Sequence, residues 1–385
     1  MTISRSPATS DAPWLFVVAG EASGDLHGAE VLRELAARSP GARFFGLGGE
    51  RMQARGLERI GGSGPLNVVG LTEVLRGLAA IRRLRDRLLE ELDGRRTAAA
   101  LLIDLPGFNL HLARCLKARA IPVVYYIAPQ AWAWRRGRVR KIRRRVDRLC
   151  AIFPFEEAFF ARHGVAVEYV GHPLTERARD RAAEAPRRVA IVPGSRPREI
   201  ERLLPPLAAA ARLLAGRLGP LDFRLPLAPG IDRGRVEGVL DAAGIRAEIV
   251  TGGAARALEG ARLGLVCSGT AALEAALCGV PSVVVYRVSA LSYAAVRPFF
   301  RLPHVCIVNI LAGEALLPEL LQSAVRPERI ADEAAALFDD GERRARCLAG
   351  MREVTAGLGQ GRPSARVAEI LAGYLAPAGA GRDET

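Results

Sequence analysis

The sequence predicts an α/β protein of two Rossmann-like, doubly wound domains facing a central cleft, and three observations predict it. Short apolar runs alternate with amphipathic helical stretches, the pattern of βαβ units around a parallel sheet. That pattern stops in a charged, alanine-rich stretch at 176–187 and then restarts. In both halves strand candidates end in turns of small residues, the place where open α/β sheets bind ligands. The chain of 385 residues has the length for two domains, each with its own core.

The first domain is expected over 14–175, with strands at 14–19, 42–46, 98–103, 122–127, 148–153 and 165–170. A long amphipathic helix over 71–92 lies among them. Residues 176–187 lack apolar periodicity and read as a linker. The second domain, 188–360, has strand candidates at 188–192, 222–227, 246–250, 263–266 and 282–286. Helices at 327–338, 342–356 and 362–375 close the chain, so that 361–385 reads as a C-terminal helix and frayed tail. Residues 1–13 lack the apolar core of a signal peptide and read as a disordered extension.

Half of the residues are apolar and 25% are charged, the profile of a soluble globular protein. The net charge is +14, which favours phosphates or an anionic bilayer through long-range attraction. Only Lys117 and Lys141 are lysine, so an arginine bias inflates that count without naming a partner. The six cysteines show no CxxC and no histidine at metal spacing; they read as reduced, buried thiols of a cytosolic protein. No apolar run reaches the roughly 18 residues of a spanning helix, so any membrane contact is expected to be peripheral. The segment 126–145, YIAPQAWAWRRGRVRKIRRR, offers such a contact. Apolar residues at 139, 142, 146 and 149 make a helical stripe, which leaves the basic residues on the other face, after Trp132 and Trp134.

Four turns carry candidate chemistry. The first strand ends in GEASGDLHG, where Glu21, Ser23, Gly24 and Asp25 bring a backbone close to a ligand at a helix start. Glu21 and Asp25 fit equally well as helix caps. Another strand ends in IDLPGFN, placing Asp104 where a carboxylate faces the ligand crevice and can act as general base; the alternative is a cap for the helix near Asn109. The second domain opens with PGSRPRE, in which Gly194, Ser195, Arg196 and Glu199 combine turn amides, a hydroxyl and a guanidinium at a helix start, a diphosphate site. In CSGTAALEAALCGVP, Ser268, Gly269 and Thr270 open a helix on which Glu274 can grip a ribose, or else balance the helix dipole. His172, in VGHPL, is a lone histidine at the expected domain junction, where such residues are usually structural.

Taken in order, GEASGD, IDLPGFN, YIAPQAWAWR with its basic helix, FPFE, VGHPL, PGSRPREI and CSGTAALEAALCGVP resemble the lipid-A-disaccharide synthase family over about residues 15–375. The resemblance implies an inverting glycosyltransferase of GT-B type. Its substrates would be UDP-2,3-diacylglucosamine and 2,3-diacylglucosamine 1-phosphate (lipid X), its products UDP and the β-1,6-linked precursor of lipid A. It would work at the cytoplasmic face of the inner membrane of a Gram-negative cell. It makes Asp104 the base for the acceptor 6-hydroxyl, gives the diphosphate to Arg196 and Ser195, the ribose to Glu274, and puts Asn309 near the nucleotide. Pro129, Gln130, Trp132 and Trp134 become acceptor wall, and residues 135–145 a docking face for anionic lipid. No metal or cofactor is implied, the UDP-sugar being a substrate; some members form homodimers. The chain departs from the family at Glu314 and Ala315, where an Arg-Glu pair is usual, and at Glu176, usually Asp. Other UDP-sugar enzymes, such as an N-acetylglucosaminyltransferase acting on a lipid carrier or a UDP-sugar 2-epimerase, share the second-domain motifs but not PQAWAWR. No nucleic-acid module accompanies the positive charge, and no nucleic-acid partner is expected.

Overall fold

The run Trp14–Ala19 is apolar throughout and buried along nearly its whole length, as a strand covered on both faces must be. It forms β1 of a parallel sheet in the computed structural model, which describes residues 13–61, 71–133, 137–177, 182–289, 293, 302–339, 341–359 and 361–376. Residues 1–12 of the expected extension, Trp134, Arg135, Arg136 and 377–385 lie outside the described residues.

The chain divides into two units, one of residues up to Glu176 together with those from Gln360, the other Arg177–Gly359. In the first, β2 (Arg43–Leu47), β3 (Leu57–Gly61), β4 (Thr97–Ile103), β5 (Val123–Tyr126), β6 (Arg148–Ala151) and β7 (Val167–Tyr169) join β1 in the order β3-β2-β1-β4-β5-β6-β7. Between the strands run α1 (Ala22–Arg38), α2 (Glu50–Gln53), α3 (Leu71–Asp93), α4 (Pro106–Ala118), α5 (Gly137–Arg145) and α6 (Pro154–Ala161). Leu84, Leu88 and Leu92 recur every fourth residue of α3 and enter the core with Phe16, Phe45, Leu102 and Leu112.

In the second unit β8 (Ala185–Val192), β9 (Asp222–Pro226), β10 (Ala247–Val250), β11 (Ala261–Cys267), β12 (Ser282–Tyr286) and β13 (Glu319–Leu321) take the order β10-β9-β8-β11-β12-β13, again all parallel. The helices are α7 (Pro197–Leu218), α8 (Arg233–Ala242), α9 (Ala254–Leu258), α10 (Thr270–Cys278), α11 (Ile307–Ala312), α12 (Pro327–Phe338) and α13 (Glu342–Gly357). Each sheet therefore reverses its strand order once, between β1 and β4 and between β8 and β11. Such a reversal leaves a crevice at the carboxyl ends of its two central strands.

The structure adds β3 and β13 to the strands read from sequence. Leu-Glu-Arg-Ile-Gly is too polar, and Glu-Leu-Leu too short, to show an apolar run. The expected linker also shrinks, because β8 begins at Ala185 and Glu176 is committed elsewhere. The last helix, α14 (Pro363–Leu375), returns to the first unit and packs on α1 and β4. Its first turn is held by Glu176, which accepts from the Ser364 N–H at 2.8 Å and the Ser364 hydroxyl at 2.7 Å. Arg362 pairs with Glu34 at 2.5 Å, and Arg366 with Glu168. Ser364 is buried, so removing its acceptor strands two donors. Glu176→Ala is expected to destabilise the first unit by about 1–3 kcal/mol, seen as a lower urea midpoint for that unit.

Candidate active site

In the first unit the GEASGD turn follows β1 and the IDLPGFN turn follows β4, so the two flank one strand-order reversal. Gly24 lets α1 close onto the sheet, since a Cβ there would sit 3.3 Å from that of Ala19. Ser23 is exposed and Glu21 partly so, both at the start of α1. Asp25 does not face outward with them. Its carboxylate accepts from the amides of Gly49 at 2.7 Å, Met52 at 3.1 Å and Arg51 at 3.2 Å, and so caps α2. Of the two roles open to it, the capping one is the one its hydrogen bonds show.

Asp104 occupies the turn out of β4 with φ of 48°, and Leu105 follows with φ of 51°. Two consecutive non-glycine residues in the left-handed region cost of order 1–3 kcal/mol each, and such strain gathers at functional sites. The turn is held by its main chain. Asp104 N–H donates to the Tyr126 carbonyl at 2.9 Å. The Asp104 carbonyl accepts from the Asn109 amide at 2.8 Å and from the Tyr125 hydroxyl at 2.5 Å. The same Asn109 nitrogen donates to the Ile103 carbonyl at 3.1 Å. Asn109 thus bridges two carbonyls, and its Oδ1 is buried with no partner among the described residues. Burial, and then the nearby Asp104 carboxylate, push the Tyr125 phenol well above its ordinary value, while Arg138 opposes them. Tyr125 thus stays a proton donor beside the Asp104 carboxylate and the first turn of α5.

Ala128–Ala133 bring Pro129 and Gln130 past the end of β5, with Gln130 exposed. Trp132 is buried, and its indole N–H donates at 2.8 Å to Glu156 of the FPFE segment. The other Glu156 oxygen accepts from the amides of Ile152 and Phe153, each at 3.1 Å. Trp132 packs edge-on to Phe155. These contacts of Trp132 are internal to the first unit. Trp134 lies outside the described residues. His172 is also internal: it packs against Phe153, and its Nδ1 accepts from the Leu174 amide at 3.2 Å. Burial, and secondarily His27, push its imidazole down to about 3, leaving it neutral and structural.

The stripe read from sequence is present. Val139, Ile142, Val146 and Leu149 are buried, while Arg140, Lys141, Arg143 and Arg144 are exposed. His111 on α4 is held below its ordinary value by partial burial and by Arg145, Lys141, Arg114 and Arg85. The basic surface therefore spans α3, α4 and α5.

In the second unit the PGSR turn follows β8 and the CSGT turn follows β11, flanking the other reversal. Glu199 folds back over the start of α7, where its Oε2 accepts from Ser195 N–H at 3.1 Å and Arg196 N–H at 3.2 Å. A Cβ on Gly194, whose φ is 120°, would lie 2.5 Å from that oxygen, so only glycine admits this arrangement. The Arg196 side chain is 65% exposed and lies 3.3 Å from Glu199 Oε1. Ser268 N–H is tied to the Val285 carbonyl, and Gly269, with φ of 137°, opens α10 with open space where a Cβ would be. Thr270 is exposed and Glu274 partly buried. The charges of Glu199, Glu274 and Arg196 all act on Cys267 at the end of β11, whose thiol burial pushes up to about 12. These motifs thus converge at one reversal. Asn309 lies on α11, which packs against α10. Its side-chain amide is buried, donating to the Leu317 carbonyl and to Glu319 and accepting from Leu317 N–H. Glu314 and Ala315 are exposed beyond α11.

Sequence reading missed Tyr125, the grip of Asn109 and the partner of Trp132. The only written signal was a buried-type acid inside FPFE and an asparagine five residues beyond Asp104.

A profile of the family described as lipid-A-disaccharide synthetase matches residues 15–370. The lipid-A-disaccharide synthase of Anaeromyxobacter dehalogenans (strain 2CP-1) is 44% identical over 381 residues, covering 96% of this chain and 99% of the relative. That of Myxococcus xanthus is 41% identical over 380 residues, with the same coverage of both. Among solved structures, an S. aureus MnaA–UDP co-structure superposes with a TM-score of 0.62 over 94% of this chain and 97% of its own, at 13% identity, a likeness of fold.

Glu156 generates a pH prediction. Burial pushes its carboxyl from about 4.5 up to about 7, against its three N–H donors. The folded chain then holds a proton through this window that the unfolded chain has lost. This contribution to stability is full below about 4.5 and fades as pH rises through 7, on the order of 3 kcal/mol in all. Tryptophan fluorescence is expected to change with a midpoint near 7, and Glu156→Gln to abolish that change.

Proposed function

The chain belongs to the lipid-A-disaccharide synthase family and is a glycosyltransferase that forms the lipid A disaccharide; from that premise we propose how its residues divide the work. The donor is UDP-2,3-diacylglucosamine and the acceptor 2,3-diacylglucosamine 1-phosphate. Asp104 takes the proton of the acceptor 6-hydroxyl as that oxygen attacks the anomeric carbon of the donor. The bond from that carbon to the diphosphate oxygen breaks with its electron pair, UDP leaves, and the new linkage is β-1,6 with inversion. The observation that carries this reading is the strained Asp104 turn at a strand-order reversal.

In the second unit Arg196, Ser195 and the start of α10 at Gly269 and Thr270 meet the diphosphate, where fixed donors offset the charge that develops on the leaving group. Glu274 takes the ribose hydroxyls. Glu199 serves by shaping the PGSR turn, a capping-box role supported by its two amide contacts. Glu21, Ser23 and Gln130 remain the exposed or part-exposed candidates for the acceptor. Among the described residues no helix is long and apolar enough to cross a membrane. The exposed arginines of α5 are the proposed contact with the anionic cytoplasmic face of the inner membrane, and lipid X the phosphorylated acceptor that they help attract.

Purified protein given both acylated sugars is expected to release UDP. Asp104→Ala should lower that rate by about two to four orders of magnitude, and a rate equal to the parent's would remove Asp104 from the mechanism. By calorimetry Arg196→Ala should weaken UDP about tenfold or more; unchanged affinity would refute the diphosphate assignment. Changing Arg140, Arg143 and Arg144 together to Glu should release the protein from anionic vesicles at low salt while sparing UDP affinity, and retained sedimentation with vesicles would place the membrane contact elsewhere.

A further inference from the structure

Asp104 presents its carboxylate from a conformation it would not adopt unaided, and the groups that impose that conformation are two buried side chains acting on main-chain oxygens. With φ of 48° at Asp104 and 51° at Leu105 the chain leaves β4 in the left-handed region, and the carbonyls of Ile103 and Asp104 at this point both accept from side chains. The Asn109 amide spans both, at 3.1 Å from the Ile103 carbonyl and 2.8 Å from that of Asp104. The Tyr125 hydroxyl provides a second donor to the Asp104 carbonyl. Both residues are wholly buried.

The Asn109 side chain is fitted to this task at the expense of its other end. Its nitrogen carries both donors and both are used, while the buried Oδ1 has no partner among the described residues. A side chain retained for packing alone would not strand an acceptor in the core. Tyr125 comes from the neighbouring strand β5, paired in register with β4 so that Leu102 faces it. The Asp104 turn is thus clamped from α4, which follows it, and from β5, which lies beside it.

We infer that Asn109 and Tyr125 are positioning residues for the transfer reaction, fixing the Asp104 carboxylate by gripping its main-chain carbonyl. This rests on the reading of Asp104 as the base. Without the clamp the 104–105 peptide is free to rotate toward an ordinary conformation, and the carboxylate swings away from the hydroxyl it must deprotonate. Neither residue touches substrate, so donor binding is spared.

Tyr125→Phe removes one donor at constant shape, and Asn109→Leu removes both amide donors at similar volume. Each is expected to lower kcat about 10- to 100-fold, as a misplacement near 1 Å does, with KM for the UDP-sugar and UDP affinity within about twofold. Added to Asp104→Asn, Tyr125→Phe is expected to cause no further loss, because the group it positions is already disabled. A Tyr125→Phe protein with unchanged kcat would overturn the inference, as would losses that multiply on Asp104→Asn. Should Asn109→Leu fail to fold, Tyr125→Phe decides alone. Full activity in Asp104→Asn would instead remove the base assignment itself, an outcome distinct from a slow Asp104→Asn beside a fully active Tyr125→Phe.

Discussion

A parallel sheet built outward from its first strand in one direction, and then resumed on the other side of that strand, parts its connections at one place only. Here that happens twice, beside β1 and beside β8. The helices leaving β1 and β4, and those leaving β8 and β11, diverge, and the ends of these strands are uncovered by any crossover. The four turns that carry candidate chemistry sit at these two gaps. GEASGD and IDLPGFN share the first, PGSR and CSGT the second. The reaction assigned to the chain depends on this constraint before it depends on any side chain, because it decides which loop residues can meet a ligand at all.

A second regularity runs through both units: carboxylates seated on main-chain amides. Asp25 holds the start of α2, Glu156 the start of α6, Glu176 the start of α14, Glu199 the start of α7, and Glu319 the amides of Val305 and Cys306 ahead of α11. A helix start with unpaired N–H groups accepts any anion, whether side chain or phosphate. The same physics that closes the fold underlies the proposed seat of the diphosphate.

That shared physics explains what could be read in the sequence and what could not. The alternation of apolar strands and helices gave both sheets apart from β3 and β13, where the apolar signal is too polar or too short to see. It also gave the buried stripe of α5 through Val139 and Ile142. The turns themselves were legible, since glycines such as Gly194 and Gly269 mark close approach or unusual backbone. The fate of each acid within a turn was not. Asp25 and Asp104 look alike on paper, each a carboxylate after a strand. Only the path of α2, set by contacts some twenty-five residues away, takes Asp25 inward. The partners of Asn309 were equally hidden, because Leu317 and Glu319 fold back over it. The bond from the Trp132 N–H to Glu156 was no more legible.

The return of α14 to the first unit has a consequence for synthesis. The unit that leaves the ribosome first has its α1 and β4 uncovered until residues 363–375 have been made, after the whole second unit. Its apolar flank waits through the translation of about half the chain, at ~5–20 residues per second. During that wait Glu34, Glu168 and Glu176 lack the arginines and serine they later hold. The first unit is therefore the first begun and the last completed. A nascent chain of this protein offers chaperones an unfinished N-terminal half, and a chain cut short before residue 363 lacks the helix that packs on α1 and β4.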